Sequence, residues 1–476
     1  MHPELRRRGR NARRTLVERP WRTDRRQWRA ETEPRWTAEL LALGAVDLAG
    51  LDDDALAAHT RRCTDALRDG FAAHLGLVSD PVPVGDWLRT TNDLTGTPPA
   101  EALGALIAST DYRIETLAGL GAVADVIRAD NTLRTRVADV SHIDAAGAAA
   151  LLAELRAHAS IGAALERWLA HFGPRIVEAC DVSGYTLGEL PEITVRGLAA
   201  LVAADAPARE PDPRQLDALR DRVPVDARPA WAEATAEAKA AYGFHDENVR
   251  VLVAWPCGLT RLALLEVGRR LVARDRLHAV EHIVEARPEQ IGPLLRGDAA
   301  APTADHLRDE YAERIRLATI TAPATVGPPP ASPPFDRMPA DVARVNAAVF
   351  TYLELVDTTG RTPVEVEHVT GLPVNAGIYE GRACLVTGPG DFGKLRQGDV
   401  LVTRFTSPTY DVVLPLLGAA VTDRGGALCH TAIVAREFGI PAVVGCRDAT
   451  RRIPDGARIR VDGTTGDVVV LAPQRI

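Results

Sequence analysis

TDRGGALCHTAIVAREFGIPAVVG, residues 422–445, sets a glycine pair, a lone histidine and an apolar run in close succession. Gly425 and Gly426 supply backbone freedom, including φ > 0, and leave their amides uncovered by side chains. A helix beginning near Cys429 or His430 points unpaired N–H groups and the positive end of its dipole at the same place, which suits a phosphoryl group. The site so formed holds one imidazole, His430. Neutral imidazole is nucleophilic near pH 7, because an unperturbed pKa of about 6.5 leaves much of it unprotonated. The chemistry implied is covalent: the ring takes a phosphoryl group and later surrenders it. Taken alone, GGxxxH also fits a helix cap or a hydrogen-bonded core histidine, so the flanking sequence has to decide.

Around this stretch the pattern is α/β. GRACLVTG, GDVLVTRF, GAAVTD, PAVVGC, ARIRVDG and GDVVVLA are short β-branched runs punctuated by glycine, proline and aspartate. Two helical pieces, YDVVLPLLG and CHTAIVAREF, interrupt them. The expectation is a compact domain over residues 366–476, with the His430 side chain at a loop surface.

These residues resemble the phosphohistidine (swivelling) domain of the phosphoenolpyruvate-utilizing enzymes. That family includes phosphoenolpyruvate synthase, pyruvate phosphate dikinase and rifampicin phosphotransferase. The matching stretches are GIYEGRACLV, GDVLVTRFTSP, the 422–445 segment, DATRRIPDGARIRVDG and TGDVVV. The resemblance implies a β/β/α swivelling fold in which His430 is phosphorylated. It also implies that Gly425 and Gly426 form the loop and that Thr422 orients the ring. Two positions depart from the family pattern. Asn375-Ala376-Gly377 stands where Ser-Pro-Gly is usual, and Cys429 stands where many members have serine. Cys429 reads as a small helix-start residue.

Residues 1–321 read as helix after helix. In LDDDALAAHTRRCTDALRDGFAAHL, Leu51, Leu56, Cys63, Leu67 and Phe71 fall at helical intervals, with Asp52 to Asp54 matching the dipole of the first turn. Alanine-rich runs such as DAAGAAALLAELRAHASIGAALERWLAHFG strengthen the assignment. The fold class expected is therefore multidomain: a large all-α N-terminal domain followed by the C-terminal α/β domain. Between them, residues 322–365 combine a proline-rich tether, APATVGPPPASPPFDRMP, with a linker helix, DVARVNAAVFTYLELVD. Proline at this density favours extended polyproline II.

The helical region also resembles the block that precedes the histidine domain in rifampicin phosphotransferase and synthase-like relatives, where it holds the acceptor substrate. The stretches are WLAHFGPRIVEACDVSGYTLGELPEITVRGL and HDENVRVLVAWPCGLTRLALLEVGRRLVARDRL. Within the second, His245, Asp246, Glu247 and Arg250 are acceptor-site candidates. His245 has the chemistry of a general base and Arg250 that of a phosphate clamp. A solvated helix start explains the same four letters. Arg175 and Glu178 read as a structural pair.

Those relatives begin with an ATP-grasp domain, and residues 1–36 here lead straight into helices. The expectation is a split enzyme. A separate ATP-grasp protein would hold ATP and Mg2+ and phosphorylate His430, which passes the group to a hydroxyl-bearing small molecule. In such relatives the β-phosphate is the one transferred. The alternatives are a binding or regulatory relative without catalysis, and a carrier for a separate pyruvate-handling barrel.

Composition bounds the rest. The chain has 476 residues, 46% of them hydrophobic and 25% charged, as in a globular protein of two to four domains. Net charge is −8, yet the first thirty-six residues are strongly basic. Trp21, Trp28 and Trp36 recur there at nearly helical spacing, which favours a solvated helix face over a nucleic-acid patch. No apolar run approaches the roughly 20 residues of a membrane span. The six cysteines are scattered without a CxxC pair, so neither zinc nor any other metal is indicated. A cytoplasmic location is expected.

Overall fold

The computed structural model describes residues 3–77, 81–110, 115–138, 140, 143–177, 181–203, 212–318, 320, 327, 334–356, 368–406 and 408–471. From Pro3 to Ala318 the described elements are helices, apart from one isolated bridge between Ile176 and Thr186. Trp21, Trp28 and Trp36 are buried, while Arg6, Arg7, Arg8 and Arg10 lie exposed on the outer face of the first helix. Asp52 caps helix Asp53–Gly76, its carboxylate accepting from Ala55 N at 2.7 Å. Leu56 and Cys63 are buried on that helix, but Phe71 is 48% exposed. Gly70 occupies the inward position instead, because a Cβ there would lie 2.0 Å from the Leu252 carbonyl oxygen. Only glycine permits so close a backbone approach.

Two tryptophan–threonine pairs lock the neighbouring layer. Trp87 Nε1 donates to Thr235 Oγ1 at 2.8 Å, and Trp231 Nε1 donates to Thr91 Oγ1 at 2.9 Å. The run Arg228–Ala273 has the length and hydropathy of a membrane span, but 89% of its apolar window is buried inside the protein, as in a core helix.

Most of the proline-rich segment, 322–326 and 328–333, lies outside the described residues. The linker helix, Ala340–Val356, packs along helix Pro81–Thr95. A Cβ at Gly85 would lie 1.9 Å from the Ala348 carbonyl oxygen, so the two backbones touch. Arg344 adds a two-pronged bond to Asp86, at 2.8 and 2.6 Å.

The described strands are β1 (Val369–Thr370), β2 (Leu372–Asn375), β3 (Ile378–Val386), β4 (Asp399–Thr403), β5 (Leu417–Thr422), β6 (Ala442–Val444), β7 (Arg458–Asp462) and β8 (Asp467–Val470). They form one eight-stranded sheet in the order β1-β8-β7-β3-β4-β5-β6-β2. Its centre, β3-β4-β5-β6, is parallel, and the remaining pairings are antiparallel. The strand runs read from the sequence all fall in this sheet. Of the two helical pieces, CHTAIVAREF becomes helix His430–Phe438, whereas Pro408–Leu416 is a 3-10 helix. Pro415 lies inside it and lacks the N–H that an α-turn would aim at the Asp411 carbonyl.

One sheet face closes over its own small core of Val400, Val402, Val421, Val443, Ile453 and Ile459. The other face shares a core with the helical block. Val413 and Leu414 of the 3-10 segment pack with Ile193 and Leu198 of helix Pro191–Ala203. Arg196 fastens the junction, donating from Nη1 to the Gly393 carbonyl at 2.7 Å and from Nη2 to the Ile143 carbonyl at 2.9 Å. The sheet domain is therefore seen docked on the helices.

Candidate active site

Gly425 has φ +123°, a conformation that side chains other than glycine's rarely adopt, and it turns the chain out of β5. Gly426 is required for a different reason. A Cβ there would lie 2.3 Å from the Leu355 carbonyl oxygen, in the last turn of the linker helix. That carbonyl accepts from Leu428 N at 2.6 Å, so the glycine loop is tied to the end of the linker helix. Buried Arg436 reaches back to the Ala427 carbonyl at 2.7 Å and joins the loop to the helix that follows it.

Cys429 is the N-cap of that helix and makes no side-chain capping bond. Burial pushes its thiol above the usual cysteine range, which keeps it protonated and inert. Serine is a favoured N-cap worth about 1 kcal/mol over non-capping residues. Cys429→Ser is therefore expected to keep normal loading of His430 and a melting temperature equal to or above that of the parent. Loss of phosphoryl loading in that variant would assign the thiol a chemical role.

His430 does not lie at a loop surface. It is 9% exposed. Each ring nitrogen has a partner: Nδ1 lies 2.9 Å from Thr406 Oγ1 and Nε2 lies 2.8 Å from Asp411 Oδ1. A carboxylate accepts, so the arrangement suits an Nε2–H donating to Asp411, with the Thr406 hydroxyl facing Nδ1. Thr406 Oγ1 also meets Thr431 Oγ1 at 2.7 Å. Thr422, expected to orient the ring, instead donates its hydroxyl to the Arg424 carbonyl at 2.7 Å. It buttresses the turn from β5 while Thr406 holds the imidazole.

Asp411 is fully buried, and on its far side stands Arg250 of the helical block, with Nη1 3.6 Å from Oδ2. Arg250 is itself 3% exposed. It opens a π-helical segment, Arg250–Ala254, in the helical run that continues through Trp255–Ala273. Pro256 follows two residues after that segment and has no N–H for the Leu252 carbonyl, so the wider turn absorbs the missing bond. The same arrangement recurs at Trp28–Thr32, two residues before Pro34.

Of the four acceptor-site candidates, Arg250 alone is shown in contact with the histidine site. Glu247 accepts from Trp28 Nε1 at 2.9 Å, which gives it a structural partner. Asp246 is half-buried in the first turn of helix Phe244–Val249. His245 lies on the same helix, and its side chain is outside the described residues. Arg175 stacks over Phe172 and Trp255, 4.3 and 4.8 Å from the ring centres, while Glu178 is outside the described residues. Asp411 and Thr406 were missed in the sequence, although both sit in stretches that it singles out, YDVVLPLLG and GDVLVTRFTSP. Asp423 is not a second base: its carboxylate accepts from Thr450 N at 2.9 Å and Thr450 Oγ1 at 2.5 Å.

Residues 395–466 match the family described as PEP-utilising enzyme, mobile domain. Residues 85–244 match the fourth domain of rifampicin phosphotransferase. Among individual proteins, the chain is 45% identical over 111 residues to rifampicin phosphotransferase of Bacillus cereus, covering 23% of this chain and 13% of that protein. It is 47% identical over 102 residues to the Streptomyces sviceus enzyme, covering 21% and 12%. A longer match, 30% identical over 303 residues, is to an uncharacterized protein of Mycobacterium tuberculosis and covers 64% of this chain and 30% of that one. The chain thus spans well under two thirds of each of these relatives.

Proposed function

We propose, for a chain that carries the mobile domain of the phosphoenolpyruvate-utilising enzymes and the fourth domain of rifampicin phosphotransferase, that it is the carrier and acceptor part of a phosphotransferase. His430 takes a phosphoryl group from ATP held with Mg2+ by an ATP-grasp unit, which we place on a separate protein. It delivers the group to a hydroxyl-bearing small molecule at the helical block. The observation that carries this reading is the buried line from His430 Nε2 through Asp411 to Arg250, which crosses from the carrier domain to the helices. It puts the reactive nitrogen, an anionic partner and a guanidinium suited to phosphate within one desolvated junction.

The nucleotide and its metal are assigned to the donor unit. Asp411, the carboxylate that touches His430, is already engaged by the ring and faces Arg250. In-line transfer needs reacting atoms about 3 to 3.5 Å apart at both ends of the carrier's journey. Docking as seen here serves the acceptor end. At the donor end His430, which is buried here, must become accessible, and we place that step in the sheet domain leaving the helices. Asp411 travels with the ring on the sheet domain, so loading also requires the imidazole to turn away from that carboxylate and present an unprotonated Nε2, with Thr406 switching from donor to acceptor at Nδ1.

The purified chain mixed with ATP and Mg2+ is expected to neither hydrolyse ATP nor acquire label. With its ATP-grasp partner, label from the β-phosphate should enter His430 as an acid-labile, base-stable phosphoramidate. Robust ATP turnover by the chain alone, in preparations free of kinase, would defeat the proposed division of labour. Label on another residue would defeat the carrier assignment.

A further inference from the structure

The two oxygens of Asp411 are in different situations. Oδ1 accepts from His430 Nε2 at 2.8 Å. Oδ2 accepts no hydrogen bond among the described residues and lies 3.6 Å from Arg250 Nη1, beyond the N–H···O range of about 2.7–3.2 Å. Asp411 is fully buried, and a buried carboxylate oxygen without a donor is costly and uncommon. Docking against the helical block thus leaves one bare oxygen beside the nitrogen that carries the phosphoryl group. The 3-10 segment that bears Asp411 belongs to the sheet domain, so this oxygen arrives at the helices together with His430.

We infer that Asp411 is the catalytic base of the delivery step, and that the acceptor is a neutral alcohol or phenol rather than an anion. The inference rests on the carrier role of His430 proposed above. The acceptor hydroxyl donates to Oδ2, and its oxygen attacks the phosphorus. The P–Nε2 bond breaks, and its electron pair returns to Nε2. The hydroxyl proton goes to Asp411 and then to Nε2, which regenerates an Nε2–H able to donate to Oδ1 across the 2.8 Å separation. Arg250, facing Oδ2, offsets the charge of the phosphoryl oxygens. An acceptor that is itself a phosphate or carboxylate would add another anion beside a buried carboxylate and a phosphoryl group. Desolvated like charges repel strongly, so such acceptors are excluded.

The test separates loading from delivery. The full-length chain is loaded at His430 with potassium phosphoramidate, using His430→Ala to subtract label on other histidines. Loss of phosphohistidine is then followed in methanol, in trifluoroethanol and in inorganic phosphate. Asp411→Asn, with its loading measured in parallel, should form methyl phosphate roughly 100-fold more slowly per loaded His430, within the range of about 10²–10⁴ for general base catalysis. Trifluoroethanol, a more acidic alcohol, needs less help, so its transfer should fall by less than about tenfold. Asp411→Glu should restore part of the methanol rate, and inorganic phosphate should yield no pyrophosphate with the parent protein.

Equal slowing with both alcohols would reduce Asp411 to a packing role and overturn the inference, as would an unchanged methanol rate or formation of pyrophosphate. If instead the parent protein gains no more label than His430→Ala from either phosphoramidate or the ATP-grasp partner, the carrier reading fails first and the inference falls with it.

Discussion

His430→Ala is expected to reduce phosphoryl loading and delivery to background, the largest effect of any single substitution in this chain. No other imidazole among the described residues shares the glycine loop, and the covalent step needs a nucleophilic nitrogen there. Stability should change too, because His430 is buried against Asp411. Removing the ring strips the donor from Asp411 Oδ1, and an orphaned buried acceptor costs about 1–3 kcal/mol. His430→Gln separates the two consequences. Its side-chain amide can still donate to Asp411, so it should melt close to the parent while remaining unlabelled. The measurement is autoradiography after donor labelling, paired with thermal melts of both variants. Loading of the glutamine variant would place the carrier nitrogen elsewhere.

The second large effect is expected at Arg250. Arg250→Gln leaves the Asp411 carboxylate buried without its cation, and breaking a buried ion pair costs about 3–5 kcal/mol. The 3.6 Å separation puts the expected loss at the lower end of that range, about 3 kcal/mol. This pair exists only while the sheet domain sits on the helices, so the cost falls on docking. At about 1.4 kcal/mol per tenfold change, the docking equilibrium constant drops by roughly 100-fold. Delivery to the acceptor should fall by up to a similar factor, whereas loading at the donor should hold or quicken because the sheet domain is undocked more often. Hydrogen exchange at Pro408–Leu416 reports docking directly, and those amides should lose protection in the variant. Undiminished delivery with intact protection would show that Arg250 neither clamps nor docks.

Much of this protein is legible in the chain because it is local. The β-branched runs after residue 366 fall in one sheet, since each strand's alternation and its glycine or proline punctuation are set by neighbours in sequence. The glycine loop, the cap position of Cys429 and the helix beginning at His430 follow from six consecutive residues for the same reason. The buried tryptophans of the basic N-terminal helices were likewise visible in their spacing. Phe71 and the 3-10 turn show where local pattern misleads. A backbone approach at Gly70 and a proline inside an apolar run override periodicity.

What no window of sequence contained is the junction. Asp411 is not singled out in its apolar stretch, and Arg250 reads as either a phosphate clamp or part of a solvated helix start. Their meaning comes from docking, which sets a carboxylate from between β4 and β5 against a guanidinium turned inward by a π-helical segment. Tertiary packing within the sheet domain decides that His430 is buried and that Thr406, not Thr422, meets its ring. Chemistry at the histidine was written locally because φ, capping and the helix dipole act over a few residues. Its partner across the interface was not, because a buried ion pair depends on which surfaces meet and how fully they exclude water.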